Sequence, residues 1–283
     1  MINTGLCSIA LAKHSVEEVI SLAKKTELAC VEWNAKCHVK PGDFNQAVYV
    51  KKLSKEAGLE IVSYGSYYRV GSTDVNQTCF SKVLLTAEAL EAKSIRVWAG
   101  TKNYEDSSQE EIASIVEDTL KIAEMAAEKN IAICFEFHDG TLTNNNYSAL
   151  KFSNLVVHPN VFFSWQPPHG YKTSYALQGL KELLPRLYTV HIYHWTVGSK
   201  DKNKVNGTVR ELIYPDDYHR HPLSQGESDL ALYLKCLLNE GKEIPILIEF
   251  VKGDCPEQFI EDALFLSHLV KNISKDLPFI RQF

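Results

Sequence analysis

Four polar residues stand at or near the ends of four successive apolar runs. Glu136 closes IAICFE, Gln166 follows FFSW, His191 lies within TVHIYHW and Glu249 closes IPILIE. Two carboxylates, an amide oxygen and an imidazole are suitable ligands for one divalent cation, Mn²⁺, Mg²⁺, Zn²⁺ or Co²⁺. A carboxylate at the close of an apolar run is costly to bury without a partner, which points to a shared site rather than four separate surface residues. With neutral His191, Glu136 and Glu249 supply −2, the charge that one divalent cation balances.

The elements that must position them follow from the alternation of apolar, β-branched runs with amphipathic stretches, which occurs eight times. Strands are expected near 3–9, 29–33, 60–65, 94–98, 131–136, 161–165, 188–192 and 245–249. Runs such as SIRVW and PILIEF are nearly continuous in apolar residues, as parallel strands covered on both faces require. The clearest helix is 107–129, where Ile112, Ile115, Val116, Leu120, Ile122, Ala123 and Ala126 follow a helical period behind Ser107 or Ser108 as cap. Eight strand–helix units with no composition break predict a single (β/α)8 TIM barrel over 1–283. The alternative, a doubly wound sheet, would carry an early glycine-rich phosphate turn, and G-x-G-x-x-G does not occur. From 193 to 227 the chain runs polar and aromatic between the seventh strand and seventh helix, without a convincing helix. A connection of that length is usually a functional lid or a disordered segment, and in a barrel it is expected to lie over the mouth.

The net charge of −5, with both signs interspersed, argues against nucleic acid as partner. No apolar run approaches the roughly 18 residues that span a bilayer. The first residues lack a basic region ahead of their short apolar stretch and read as a strand, not a secretion signal. Seven cysteines, an odd number without any C-x-x-C pair, suit a reduced cytoplasm. A homodimer is compatible with such a barrel.

Barrel active sites lie at the C-terminal ends of strands, so residues just past each strand are candidates for substrate contact. The four tryptophans, Trp33, Trp98, Trp165 and Trp195, all fall at or just beyond strand ends. Indole stacks on the apolar C–H faces of sugars, while sugar hydroxyls need polar partners. Trp98 and Trp165, together with His38, His138, His169, His194 and Arg220, are therefore read as substrate-binding residues of a small carbohydrate. Tyr64, Tyr67 and Tyr68 are read as local packing, and Lys252 and Asp254 as residues opening the last helix.

Taken together, VEWNAKCHVKPGD, SYGSYYR, EFHDGTLTN, WQPP, HIYHW and IEFVKGD resemble the xylose-isomerase-like barrels, and within them a bacterial branch of sugar-phosphate isomerases and epimerases. The resemblance runs nearly end to end. It implies one metal held by Glu, Asp, His and Glu from strands five to eight, positions that Glu136, His191 and Glu249 match. It also implies that His169 faces substrate and that Arg220, before the Gly-Glu-x-Asp turn, binds a substrate oxygen. Gln166 stands where the wider family has Asp, so a weaker, reversible metal is expected. The implied reaction is isomerisation or epimerisation of a ketose, sugar phosphate or cyclitol by proton transfer next to a carbonyl, with Glu136 and Glu249 one on each face. Three alternatives remain: a dehydratase or lyase on the same site, a non-catalytic sugar-binding barrel, and an apurinic-site endonuclease. The last is disfavoured by the charge and by Trp98 at the strand-four position.

Overall fold

The computed structural model describes residues 3–168, 171–197, 202–205, 208–211 and 218–276, with no side chains described at 196–219 or 276. Its first seven strands are β1 (Thr4–Cys7), β2 (Cys30–Asn34), β3 (Glu60–Val70), β4 (Ser94–Ala99), β5 (Ala132–Glu136), β6 (Val161–Trp165) and β7 (Leu187–Ile192). With β12 (Ile246–Ile248) they close a barrel in which every neighbouring pair is parallel, β1 sealing against β12 through Gly5 and Leu247. Helices α1 (Val16–Lys25), α2 (Phe44–Glu56), α3 (Phe80–Leu90), α4 (Gln109–Ala127), α5 (Asn146–Leu155), α6 (Thr173–Leu183), α7 (Glu227–Asn239) and α8 (Pro256–Asp276) follow the barrel strands in turn. The expected (β/α)8 fold is present. Among the described residues no helix is long and apolar enough to cross a membrane.

Local chemistry explains the boundaries. Ser108 rather than Ser107 caps α4, in a reciprocal capping box with Glu111, which satisfies two of the free backbone N–H groups. Along α4, Ile112, Ile115, Ile122, Ala123 and Ala126 are buried against the barrel. Each buried isoleucine contributes about 1.5–3 kcal/mol.

Strand alternation splits the barrel into two environments. Outward residues such as Val31, Trp33, Val97, Phe135, Phe163 and Trp165 join the large core between sheet and helices. Inside, Cys7, Cys30, Val62 and Leu247 form a small apolar plug. Above it lies a charged layer: Glu32, Arg96, Glu136 and His191 are each no more than 2% exposed. Side chains point to opposite faces at period two, so Glu32 and Trp33 cannot face the same way.

Two connections differ from expectation. Strand β3 runs five residues beyond the expected 65, to Val70, with a register irregularity between Gly65 and Tyr68 that leaves Tyr67 at φ 58°. Within 193–227 the chain pairs β8 (His194–Val197) with β11 (Tyr218–His221), and β9 (Lys202–Val205) with β10 (Thr208–Glu211), both antiparallel. The described parts of that segment are thus two antiparallel strand pairs followed by a short 3-10 helix, Leu223–Gly226.

Candidate active site

Glu136, Gln166 and Glu249 line one cavity of about 350 Å³ at the barrel mouth. His191, fully buried, stands beside Glu136 and Glu249, its Nδ1 3.6 Å from an oxygen of each. One ligand atom from each of these three residues lies within 4.8 Å of the others. Ligands held about 2.1 Å from a cation sit about 3.0–3.5 Å apart, so small adjustments bring the set to binding distance. Gln166 donates its amide nitrogen to the Phe137 carbonyl. That bond fixes the amide's orientation and leaves Gln166 Oε1 buried without a hydrogen-bond partner, as is Glu249 Oε2. Buried polar atoms without partners are uncommon and call for an explanation, a bound ion among them. The donor set therefore fits one divalent cation.

Two residues of the site were not read from the sequence, Glu32 and Arg96. Arg96 Nε donates to Glu32 Oε1 at 2.9 Å, and its Nη1 donates to Glu136 Oε2. Trp98 Nε1 donates to the same Glu136 oxygen at 2.5 Å. Glu136 thus has one oxygen clamped and the other, Oε1, facing His191. The other oxygen of Glu32 lies 3.4 Å from His191 Nε2. The missed signal was a charge of each sign at an inward position of an otherwise apolar strand, Glu32 in CVEWN and Arg96 in SIRVWA. Their charges cancel, so with neutral His191 the site still carries −2.

Electrostatics divides the carboxylates. Burial alone would raise Glu32, but Arg96 and His191 more than offset it and hold the carboxyl at about 2. Burial is likewise outweighed at Glu136, where Arg96 and His191 hold the carboxyl well below the usual range. At Glu249 burial wins: only partly countered by His191 and reinforced by the Glu136 charge, it pushes the group up to about 7. Burial opposes protonation of His191, yet Cys7 and the carboxylates Glu32 and Glu249 hold it well above its ordinary value. A second ligand trio, Cys7, Glu32 and His191, lies on the other side of the imidazole. Arg96 already neutralises its carboxylate, and burial pushes the Cys7 thiol far up, so that side favours a proton over a cation.

The structure separates the residues expected to touch substrate. Trp98 and His138 line the cavity, their rings 4.6 Å apart. His138 Nδ1 lies 2.6 Å from the Asp139 carbonyl, an acceptor only, so Nδ1 carries the proton. Trp195 lines it too, packed on Tyr193 and Phe250. Trp33 and Trp165 point outward into the helix layer, Trp33 donating to Ser54 on α2 and Trp165 packing on Tyr233 of α7. Each flanks an inward residue, Glu32 or Gln166, and the two-residue period turns it away. His38 is buried between Ser8 and the His14 carbonyl, outside the cavity. His194 faces a separate small hollow with Tyr233 and Asp229. Arg220 pairs with Asp254 and stacks on Trp195 and Phe250, so it buttresses the wall instead of reaching the cavity. Lys252 and Asp254 form the 3-10 turn that leads into α8, and Asp254 also carries the pair with Arg220. His169 lies outside the described residues.

Tyr67, read as packing, lines the cavity. Its left-handed backbone, unusual for a bulky residue, turns the ring inward. Asn34 Nδ2 donates to its hydroxyl at 2.7 Å, and Lys36 Nζ lies 4.0 Å from the ring centre.

A family model described as xylose isomerase-like TIM barrel matches residues 20–280. The chain belongs to the xylose isomerase-like TIM barrel family. Among curated proteins, the 3-dehydroshikimate dehydratase of Bacillus anthracis is 31% identical over 110 residues, 38% of this chain and 39% of that protein. The match therefore spans about two fifths of that relative's length. Among solved structures, a D-tagatose 3-epimerase-like protein superposes with TM-score 0.72 at 16% identity, covering 98% of this chain and all of that one. The probable 3-DHS dehydratase AsbF of Bacillus anthracis gives 0.68 at 16% identity, covering 94% and 99%. D-psicose 3-epimerase of Clostridium cellulolyticum H10 gives 0.68 at 13% identity, covering 96% and 99%. This xylose isomerase-like barrel thus shares its fold with both epimerases and a dehydratase.

Proposed function

We propose that this barrel is a metal-assisted isomerase or epimerase of a ketose, sugar phosphate or cyclitol, acting by proton transfer next to a carbonyl. The observation that carries the reading is the convergence of Glu136, His191, Glu249 and the unpartnered Gln166 oxygen at a cavity the size of a small-molecule site. These four residues would hold the cation, which when bound supplies Lewis-acid polarisation of the carbonyl and acidifies the neighbouring C–H.

The remaining work falls to side chains. Glu249, pushed up to about 7, is placed to take and return a proton near neutral pH. Glu136, clamped by Arg96 and Trp98, is the weaker base and stands at the opposite flank for the second face of an epimerisation. Ligation depresses the basicity of either carboxylate, so Glu249 works from a higher starting point. Tyr67, Trp98 and Trp195 offer aromatic surface to C–H faces, while Lys36, His138 and Asn144 offer polar groups to hydroxyls.

The partial match to a 3-dehydroshikimate dehydratase favours a second reading, elimination of water after the same proton removal. One experiment separates the two. The Mn²⁺-loaded protein is incubated in D₂O with a ketose panel and, separately, with 3-dehydroshikimate, and followed by NMR. Deuterium entering a sugar beside its carbonyl supports the first reading, and an aromatic product from 3-dehydroshikimate the second. Tight ligand binding with neither outcome would make the barrel a sugar binder.

A further inference from the structure

We propose that Glu32 and Arg96 are positioning residues that present His191 and Glu136 to the cation, an inference that rests on the metal reading above. The pair reaches both Glu136 and His191. Glu32 Oε1 takes Arg96 Nε at 2.9 Å, and Arg96 Nη1 reaches on to Glu136 Oε2, tying β2 to β5 across β4. Glu32 Oε2 has no hydrogen-bond partner and looks at His191 Nε2 from 3.4 Å.

A neutral imidazole carries one proton on one of its two nitrogens, and the partner of one nitrogen decides the other. A carboxylate beside Nε2 accepts, so when a cation displaces one proton of His191 the other stays on Nε2 and the Nδ1 lone pair faces Glu136 and Glu249. Outer partners of this kind orient a metal-ligating histidine, and losing one typically weakens metal affinity 10–100-fold. Arg96 acts in parallel on Glu136. By occupying Oε2 together with Trp98, it directs Oε1 to the site.

The backbone makes room for the pair. A Cβ at Gly65 would lie 2.7 Å from both Arg96 Nη2 and Glu32 Oε1. No side chain fits there unless the ion pair moves. Stability alone does not account for the arrangement, because removing two charges from water offsets most of their attraction, and well-packed apolar residues often do as well. A buried pair that also touches both ends of a ligand set has a second reason to be charged.

Glu32→Gln is the informative change. Its amide oxygen would stay with Arg96, so its NH₂ would face His191 Nε2 and donate to it. The ring proton would then move to Nδ1 and block the site. Two measurements follow: Mn²⁺ affinity by titration, and the protonation pattern of His191 from long-range ¹H–¹⁵N correlations, with and without Zn²⁺. Wild type is expected to carry a proton on Nε2 in both states. Glu32→Gln is expected to bind Mn²⁺ 10–100-fold more weakly and to lose the Nε2 proton. Wild-type affinity in Glu32→Gln, or a bare Nε2 in wild type, would overturn the proposal. Should the variant fail to fold, a bare Nε2 in the Zn²⁺-loaded wild type still overturns the proposal, and Glu32→Asp, which draws the carboxylate back from Nε2, is expected to weaken Mn²⁺ binding as well. Wild type that takes up no Mn²⁺ sinks the metal reading itself, whereas normal uptake with a bare Nε2 sinks only this inference.

Discussion

Glu136 and Glu249 are the same residue type, both buried and each 3.6 Å from one imidazole nitrogen, yet their surroundings shift them in opposite directions. The difference lies in the neighbouring strands. Glu136 is beside β4, which carries Arg96 and Trp98, both donating to it. Glu249 follows β12, between β7 and β1, and among the described residues its Oε2 has no hydrogen-bond partner. One half of the mouth is a fixed, compensated anion, and the other a carboxyl free to exchange its proton. Two residues that look interchangeable in sequence are given different chemistry by what the adjacent strand points inward.

Breaking the exchanging half has the largest expected effect. Glu249→Gln should lower turnover by about 10²–10⁴-fold, the range for losing a general acid–base group. Steady-state kinetics on whichever substrate shows exchange reads this directly, and a loss below tenfold would move the proton transfer elsewhere.

Breaking the compensated half should show in stability instead. Arg96→Met leaves Glu32 and Glu136 as uncompensated buried charges, a loss of about 3–5 kcal/mol in urea unfolding at pH 7. The pH dependence has a definite sign. Both carboxyls are held below their unfolded values, so their stabilisation is present above about pH 4.3 and fades as pH falls towards the folded value, about 2 for Glu32. The gap between wild type and Arg96→Met should therefore narrow from pH 7 to pH 3. A gap that widened in acid would contradict the pairing. Trp98→Phe removes one of the two donors to Glu136 and should cost about 1.5–3 kcal/mol, less than Arg96→Met because the guanidinium remains.

Asp262 extends the comparison to a carboxyl without a cation. It accepts from Leu223 N–H at 2.9 Å and Gln258 at 3.0 Å, and burial pushes it up to about 6. A raised folded value stabilises below pH 3.8 and is lost as pH rises through 6. Asp262→Asn keeps the acceptor and never ionises. It should stabilise by about 1–2 kcal/mol at pH 8 and by nothing near pH 4, as melting curves at the two pH values would reveal.

Much of this was legible in the sequence. The eight apolar runs gave the barrel because parallel strands buried on both faces admit few polar residues, and the strand ends singled out Glu136, Gln166 and Glu249. What escaped reading was the inside of the strands. Glu32 and Arg96 sit mid-strand, where a charge is ordinarily excluded, and their pairing depends on β2 and β4 flanking β3 at the glycine of that strand. The tryptophans misled for a related reason. Being at a strand end says nothing about facing, and one residue of offset sends Trp33 and Trp165 into the helix layer while Trp98 enters the cavity. Tyr67 was hidden by a backbone irregularity, and the β8–β11 pair by the roughly 20 residues of sequence between its strands, which leave no local period to detect.

Mn²⁺ uptake tests the site most directly. Equilibrium titration of the metal-free protein should give one ion per chain, and Glu249→Gln should reduce it to none over the same range. No uptake by the wild type, or uptake unchanged in Glu249→Gln, would contradict a cation held by Glu136, Gln166, His191 and Glu249.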